Sequence, residues 1–217
     1  MADLKLEFKR LGEDWVLLRF GHAICDETTE RVRQAYVSMQ ALDFVCECIP
    51  TYTDLAIRPR GEALLWGGEE WRMLISSSTQ ERQLAPGRLI EMPVRFAHLD
   101  DDAFDLQSYS QQIGLSIDAT IAKLLATEFT VAMIGFLPGM PYLAGLSEQL
   151  HLSRRQNLAT AVPGTFAVGG QQAGFLPNQT LTGWWRLGAT DASIFALERE
   201  PQGLFQIGDR VRLLRVE

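Results

Sequence analysis

Nine of the 18 glycines in this 217-residue chain lie between Gly135 and Gly188, in about a quarter of its length. Glycine tolerates positive φ and lets backbone or ligand come close, so such crowding marks tight turns between short strands. FAVGGQQAGF reads as a hairpin turned at Gly169-Gly170. Near the end, DRVRLLRV alternates Arg210 and Arg212 with Val211 and Leu213, which gives one wet face and one buried face. Many short strands joined by Gly/Pro turns indicate a barrel or sandwich.

The opening third has a different texture. WVLLRF (Trp15 to Phe20) reads as a strand. A helix follows from Asp26 to Leu42, with Val32, Ala35, Tyr36, Met39 and Leu42 at the spacing of one buried face and Asp26 as its N-cap. FVCECIP and DLAIRP read as strands, and Glu69 to Ser77 as a second helix with Trp71, Leu74 and Ile75 inward. The order β-α-β-β-α suggests a ferredoxin-like layer. The polar segment SSSTQERQLAPGR (Ser76 to Arg88) links it to the rest. RLIEMPVRF is then a strand, with Pro93 favouring an edge or bulge position. AHLDDDAFD is an acidic loop, and two short helices follow. The first carries Leu106, Tyr109 and Ile113 and stops at Gly114. The second starts at Ser116 and carries Ile117, Ile121, Leu124 and Leu125. The expected fold class is α+β, with an α/β domain over residues 1–84 and a β-barrel domain over 85–217.

Charge removes several functions. With 20 basic and 27 acidic residues, the net charge of −7 gives no basic footprint for nucleic acid. The helix–Gly–helix unit offers only Lys123 beside Asp118 and Glu128, so a pair packed on a sheet is the better reading than a DNA reader. The longest apolar stretch, Val131 to Leu146, is broken by Pro138 and Pro141 and is too short to span a bilayer. MADLKLEFKR lacks the apolar core of a secretory signal, which makes the expectation cytoplasmic. Cys25, Cys46 and Cys48 form an odd set that does not read as a disulfide framework. Cys46 and Cys48 share a face if FVCECIP is a regular strand. The histidines are His22, His98 and His151, too few and too scattered for a metal site. No GxSxG elbow, HExxH, Walker A loop or dinucleotide fingerprint occurs.

Four stretches carry candidate binding groups. IGFLPGMPYLAGL combines three glycines, two prolines and Tyr142, and its stiffness lowers the ordering cost of binding. HLSRRQN supplies Arg154 and Arg155, whose planar forks suit a carboxylate or phosphate. In TGWWRLGATD the adjacent Trp184 and Trp185 face opposite ways on a strand, one to the core and one to a groove. Gln171 and Gln172 offer donors and acceptors to an amide. The expected ligand contacts are Pro138, Tyr142, Arg154, Arg155, Gln172 and Trp184. The expected loop-shaping residues are Gly135, Gly139, Pro141, Gly170, Gly174, Gly183 and Gly188. Together these turns are expected to mould the mouth of a small closed sheet. No residue stands out as nucleophile or general base.

The order IGFLPGMPYLAGL, SRR, VPGTFAVGGQQAGFLP, TGWWRLGATD resembles the KipI-like family, with looser likeness at IEMPVRF, Asp105-Leu106 and Gly114 to Ser116. That family includes the B component of bacterial 5-oxoprolinase, proteins named allophanate hydrolase subunit 1, and an inhibitor of a sporulation histidine kinase. The resemblance implies a cyclophilin-like barrel after a small α/β domain. It implies a larger KipA-like, carboxyltransferase-like partner subunit, with a LamB/YcsF-type subunit in the oxoprolinase. It implies ATP, held by the complex, and a small cyclic amide as substrate. A histidine-kinase inhibitor is the alternative, and a prolyl isomerase a third reading by fold analogy only. The chain departs from the family at Leu124, usually histidine; at Leu158-Ala159, usually PR; at Ser153, usually the proline of PRR; at Met140, usually phenylalanine; at Thr182, usually the first glycine of GGW; and at Ala189, usually the arginine of GRTP.

Overall fold

The computed structural model of the chain describes residues 6–79, 84–96 and 104–216. They fall into two compact units, Met1–Ala85 and Pro86–Glu217, in a mixed α+β fold. The acidic loop read at AHLDDDAFD, with His98, lies mostly outside the described residues, as does part of the Ser76–Arg88 link.

The first unit is one antiparallel sheet backed by helices. Its strands are β1 (Glu7–Leu11), β2 (Trp15–Arg19), β3 (Val45–Pro50) and β4 (Asp54–Pro59), in the order β1-β2-β4-β3. Helices α1 (Asp26–Gln40) and α2 (Gly68–Thr79) supply the buried face. Val32, Ala35 and Met39 of α1 and Trp71 and Ile75 of α2 pack on Val16, Leu18, Leu55 and Ile57 of the sheet. β2 and β3 flank β4 and are joined through α1, which makes a split βαβ unit. The sequence reading missed β1, which hairpins onto β2 and fills the edge beside it before α1 rather than after α2.

Two local expectations fail here. Cys25, not Asp26, is the N-cap of α1; Asp26 is its first helical residue, and no side-chain bond caps the helix. Its carboxylate still favours the positive end of the helix dipole together with Glu27. The β3–β4 register slips between Val45 and Glu47, so Cys46 sits in a bulge and the shared face with Cys48 is lost. Cys46 is exposed, while Cys48 packs against the sheet's core.

The second unit holds a closed barrel in the order β10-β7-β6-β13-β5-β12-β9. Its strands are β5 (Leu89–Phe96), β6 (Glu128–Ile134), β7 (Pro141–Ala144), β9 (Thr165–Gly169), β10 (Gln172–Leu176), β12 (Trp185–Ala189) and β13 (Arg210–Val216). β8 (Ala159–Ala161) and β11 (Thr180–Thr182) form a separate two-stranded ribbon. α3 (Leu106–Gln112) packs on β12 and α4 (Ile117–Ala126) on β13, so the helix pair is sheet-bound, as the charge argument favoured. Ser116 caps α4 by accepting from the Ala119 N–H. Phe129, Phe166 and Phe175, with Met92, Val94, Val131, Leu143, Val168 and Leu213, fill the barrel. No described helix is long and apolar enough to cross a membrane.

β5 lies inside the barrel order, yet Pro93 itself stands at a locally open edge of the ladder, as its lack of an N–H leads one to expect. The strand runs parallel to β13 along its length, while β12 reaches only Arg95 and Phe96. Pro93 therefore has a ladder partner on one side only, which is why a residue without an N–H fits. The β9–β10 hairpin pairs Gly169 with Gln172, so its turn is Gly170-Gln171, one residue later than read. Gly170 adopts φ +67 there, a conformation costly for other residues.

Candidate functional site

Strand register separates the two faces of the barrel wall. Leu143, Ala173, Val168 and Trp185 are cross-strand neighbours, and all belong to the interior core. Their chain neighbours Tyr142, Gly174, Ala167 and Arg186 form the adjacent row on the outer face. β9 is buried at every residue. Something must therefore cover its outside, and a second apolar cluster does so: Met140, Ala161, Ala167, Leu176 and Trp184, with Leu137 and Tyr142 against it.

A cleft of about 280 Å³ opens on this outer wall. Tyr142, Leu176 and Trp184 line it from the wall, Phe136 and Met140 from the IGFLPGMP turn, Leu158, Leu181, Thr182 and Gly183 from the ribbon and its flanks, and Arg154 and Arg155 from the segment between. The turns do converge on one hollow, but not at the barrel mouth, which is where they were expected. The interior is filled by phenylalanines, so the ligand-sized space is outside.

The arginine segment is pinned at three points. Leu152 and Gly170 exchange backbone bonds, the Arg155 N–H donates to Gly183 O at 2.7 Å, and Trp185 Nε1 donates to Ser153 O at 2.9 Å. A Cβ on Gly183 would lie 3.1 Å from Arg155 O, so this close approach favours a residue without a side chain. The Arg154 guanidinium lies 5.6 Å from the Trp184 ring centroid and donates to Gln172 Oε1 at 3.1 Å. The Arg155 guanidinium lies 5.8 Å from the Trp185 ring centroid and donates to Asp105 Oδ1 at 2.6 Å. Trp184 meets Tyr142 edge-on at 5.5 Å. Each arginine is thus stacked on one of the paired tryptophans, which holds its fork in place.

Asp105 and Arg186 are the site residues that sequence reasoning missed. Strand alternation puts Arg186 on the outer face between the core residues Trp185 and Leu187, and the register of β12 shifts only after it, between Arg186 and Gly188. Arg186 donates to Asp105 and also to Thr160 O at 2.8 Å, tying the ribbon to the wall. Burial alone would raise the Asp105 carboxyl. The hydrogen bonds and charge of Arg186, with the charge of Arg155, outweigh that and hold it below the ordinary carboxylate range. Burial raises the Tyr142 phenol against the opposing charge of Arg154.

Of the expected contacts, Tyr142, Arg154, Arg155 and Trp184 line the cleft. Gln172 reaches it only through Arg154. Pro138 is exposed and outside the lining, although its neighbours Phe136 and Met140 are in it. Phe136 is exposed at φ +67, a strained left-handed conformation for a bulky residue. Among the loop-shaping residues, Gly139 and Gly170 have positive φ. A Cβ at Gly174 or Gly188 would press on the Pro141 or Arg95 carbonyl oxygen, whereas one at Gly135 would make only ordinary contact. Pro141 opens β7 opposite Ile134. Of the positions where the chain departs from the family pattern, Met140, Leu158 and Thr182 line the cleft, while Leu124 is in the barrel core. Among the described residues no group of histidine, cysteine and carboxylate side chains could hold a metal ion.

A two-unit α+β chain whose barrel carries a cationic, apolar-walled cleft on its outer wall is the class of protein that this geometry defines. The chain belongs to the family described as carboxyltransferase domain, subdomain C and D, whose model matches residues 6–205, and with it to the KipI-like group. It is 26% identical over 231 residues to a Bacillus subtilis protein named as the B component of 5-oxoprolinase, covering 98% of this chain and 94% of that one. It is 29% identical over 205 residues to the protein of the same name from Escherichia coli O157:H7, covering 94% and 93%. The solved structure of TTHA0988 matches with a TM-score of 0.77 and 30% identity over 94% of this chain. This chain spans 40% of the TTHA0988 chain.

Proposed function

We propose that the chain is a subunit of an ATP-dependent 5-oxoprolinase-type complex that opens a small cyclic amide, and that it is active only with a larger carboxyltransferase-like partner. The observation that carries this reading is the cleft itself: two stacked arginines on an apolar wall, in a chain whose relatives are named as the B component of 5-oxoprolinase. Its size, near the lower end of ligand pockets, suits a five-membered lactam and not a nucleoside triphosphate. We assign ATP to the complex and not to this cleft. A lactam is a poor electrophile, and transfer of the γ-phosphoryl to its oxygen, with ADP released, activates the carbonyl; one water then adds and expels the ring nitrogen to leave an acyl phosphate, and a second water hydrolyses that to the open amino acid and phosphate. Fixed guanidinium groups suit the charge that develops in such steps.

The cleft does not supply the whole chemistry. Its lining holds no side chain that exchanges a proton near neutrality, since the arginines stay charged and burial raises the Tyr142 phenol. Phe136, Leu158 and Leu181 rim the cleft and are 71%, 63% and 62% exposed, which leaves it open to water until a partner covers it. That this fold fills two fifths of the TTHA0988 chain supports a sizeable companion polypeptide. The remaining parts of the reading are a ferredoxin-like domain over residues 1–84, a cyclophilin-like barrel over 85–217, a LamB/YcsF-type third subunit and a cytoplasmic location. Reconstitution tests the proposal. The chain alone hydrolyses nothing, and with the larger and LamB/YcsF-type subunits ATP turnover rises on adding 5-oxoproline. ATP turnover indifferent to 5-oxoproline in the full complex rejects it.

A further inference from the structure

The cleft is not electrically self-sufficient. Of the three guanidinium groups at the cleft and its wall, Arg155 and Arg186 pair with the one carboxylate, Asp105, and Arg154 does not. A carboxylate has about four acceptor positions. Asp105 uses them on the Arg186 backbone N–H, Arg186 Nε, Arg186 Nη2 and Arg155 Nη1. It has nothing left for Arg154, which finds only the neutral Gln172 oxygen. Arg155 makes no hydrogen bond through Nε or Nη2 to the described residues. Two forks with unspent donors thus line the cleft, and no second carboxylate among the described residues pairs with them.

We propose that this cleft is a receptor for a small organic anion, carboxylate or phosphorylated, whose charged group sits between Arg154 and Arg155 and whose apolar body rests on Trp184, and that Asp105 is the positioning residue that holds Arg155 for it. The proposal deepens the reading above by fixing the charge of the ligand, and it rests on that reading for the site's role. An uncharged amide leaves the excess positive charge unmet and gains only the apolar wall. An anion meets charge-assisted donors already held in place, with little ordering left to do. A second negative charge on the same small body strengthens binding further, since only one of the three cations is neutralised within the protein.

The test uses the purified full chain at low salt, with tryptophan fluorescence and calorimetry as readouts. The probes are 5-oxoproline, inorganic phosphate and the uncharged lactam 2-pyrrolidinone. Both anions bind, and 2-pyrrolidinone binds at least tenfold more weakly. Arg154→Gln and Arg155→Gln each weaken the anions by about tenfold or more, as loss of a charge-assisted bond should. Asp105→Asn separates positioning from charge. It adds to the net positive charge and would tighten anion binding if charge alone mattered; weaker binding is the expected result. Arg155→Lys keeps the charge, loses the fork and also weakens binding, which keeps the test open if Asp105→Asn does not fold. Equal binding of the neutral lactam, or anion binding indifferent to both arginines, overturns the anion site. Tighter anion binding by Asp105→Asn overturns the positioning role. Phosphate bound through the arginines with 5-oxoproline ignored keeps the anion site and removes 5-oxoproline as its ligand in this chain, while ATP turnover of the full complex decides the 5-oxoprolinase reading separately.

Discussion

Arg186 grips Asp105 at two points, Nε to Oδ2 at 2.8 Å and Nη2 to Oδ1 at 3.0 Å, and its own backbone N–H adds a bond to Oδ2 at 3.0 Å. Both side chains are about nine-tenths buried. The Asp105 N–H returns a bond to Arg186 O at 2.7 Å, so α3 is fastened to β12 at its first turn. Breaking a buried pair by removing one partner leaves the other charge uncompensated.

Acid sensitivity follows from that pair. The Asp105 carboxyl titrates below its unfolded value, so its contribution is complete above about pH 4 and is lost as pH falls through the lower, folded value. Asp105→Asn should cost about 3–5 kcal/mol at pH 7. Urea unfolding at pH 7 and again below about pH 4 checks both statements. The substituted chain should lose less stability between the two conditions than the parent, and an equally steep acid loss would exclude Asp105 as its source.

Two glycines of the same turn-rich stretch should respond oppositely to alanine. A Cβ at Gly174 lies 2.5 Å from the Pro141 backbone oxygen, and neither strand can yield without breaking the β7–β10 ladder. Gly174→Ala should cost about 1–3 kcal/mol, as overpacking does. At Gly135 the nearest atom is the flexible Met133 Cε at 3.6 Å, so Gly135→Ala should fall within about 0.5 kcal/mol of the parent. Melting curves of the two variants give the comparison. A Gly135 variant that melts as low as the Gly174 variant would contradict it.

What sequence could reveal depended on the distance over which each signal acts. The apolar spacing of α1, the Ser116 cap of α4 and the alternation of β13 each lie within one element, and each was readable. Asp26 misled because its carboxylate favours a helix start by charge alone, and charge does not separate the cap from the residue after it. The cleft's side of the barrel was not legible. β9 is apolar on both faces, so TFAVG carries no alternation to mark inside from outside. Arg154 and Arg155 could be picked by chemistry. The anchor of Arg155 could not, since Asp105 lies 50 residues from Arg155 and 81 from Arg186. Only the closed sheet brings the three together.

The three thiols should separate by reactivity. Burial pushes the Cys48 thiol up to about 12, so almost no thiolate exists at pH 8. Cys25 and Cys46 are exposed. Timed maleimide labelling of the folded chain at pH 8, read by mass spectrometry, should show two adducts quickly and the third only after urea is added. Rapid triple labelling without denaturant would mean that β3 opens readily at the sheet edge.

Leu158 offers the sharpest probe of the cleft's charge. It is 63% exposed on the cleft rim, and both its Cδ2 and the Arg154 Cβ lie within 4 Å of where a Gly183 side chain would project. A carboxylate introduced there reaches the unspent donors and acts as an internal competitor for any bound anion. Leu158→Glu should leave stability within about 0.5 kcal/mol, because little apolar surface is withdrawn from water at so exposed a position. It should weaken phosphate binding at least tenfold, about 1.4 kcal/mol. Leu197→Glu is the matched control: it is 70% exposed and outside the cleft lining, and it changes the net charge of the chain by the same amount. Equal losses in the two variants would point to the overall charge of the chain. A loss confined to Leu158→Glu places the anion beside Arg154.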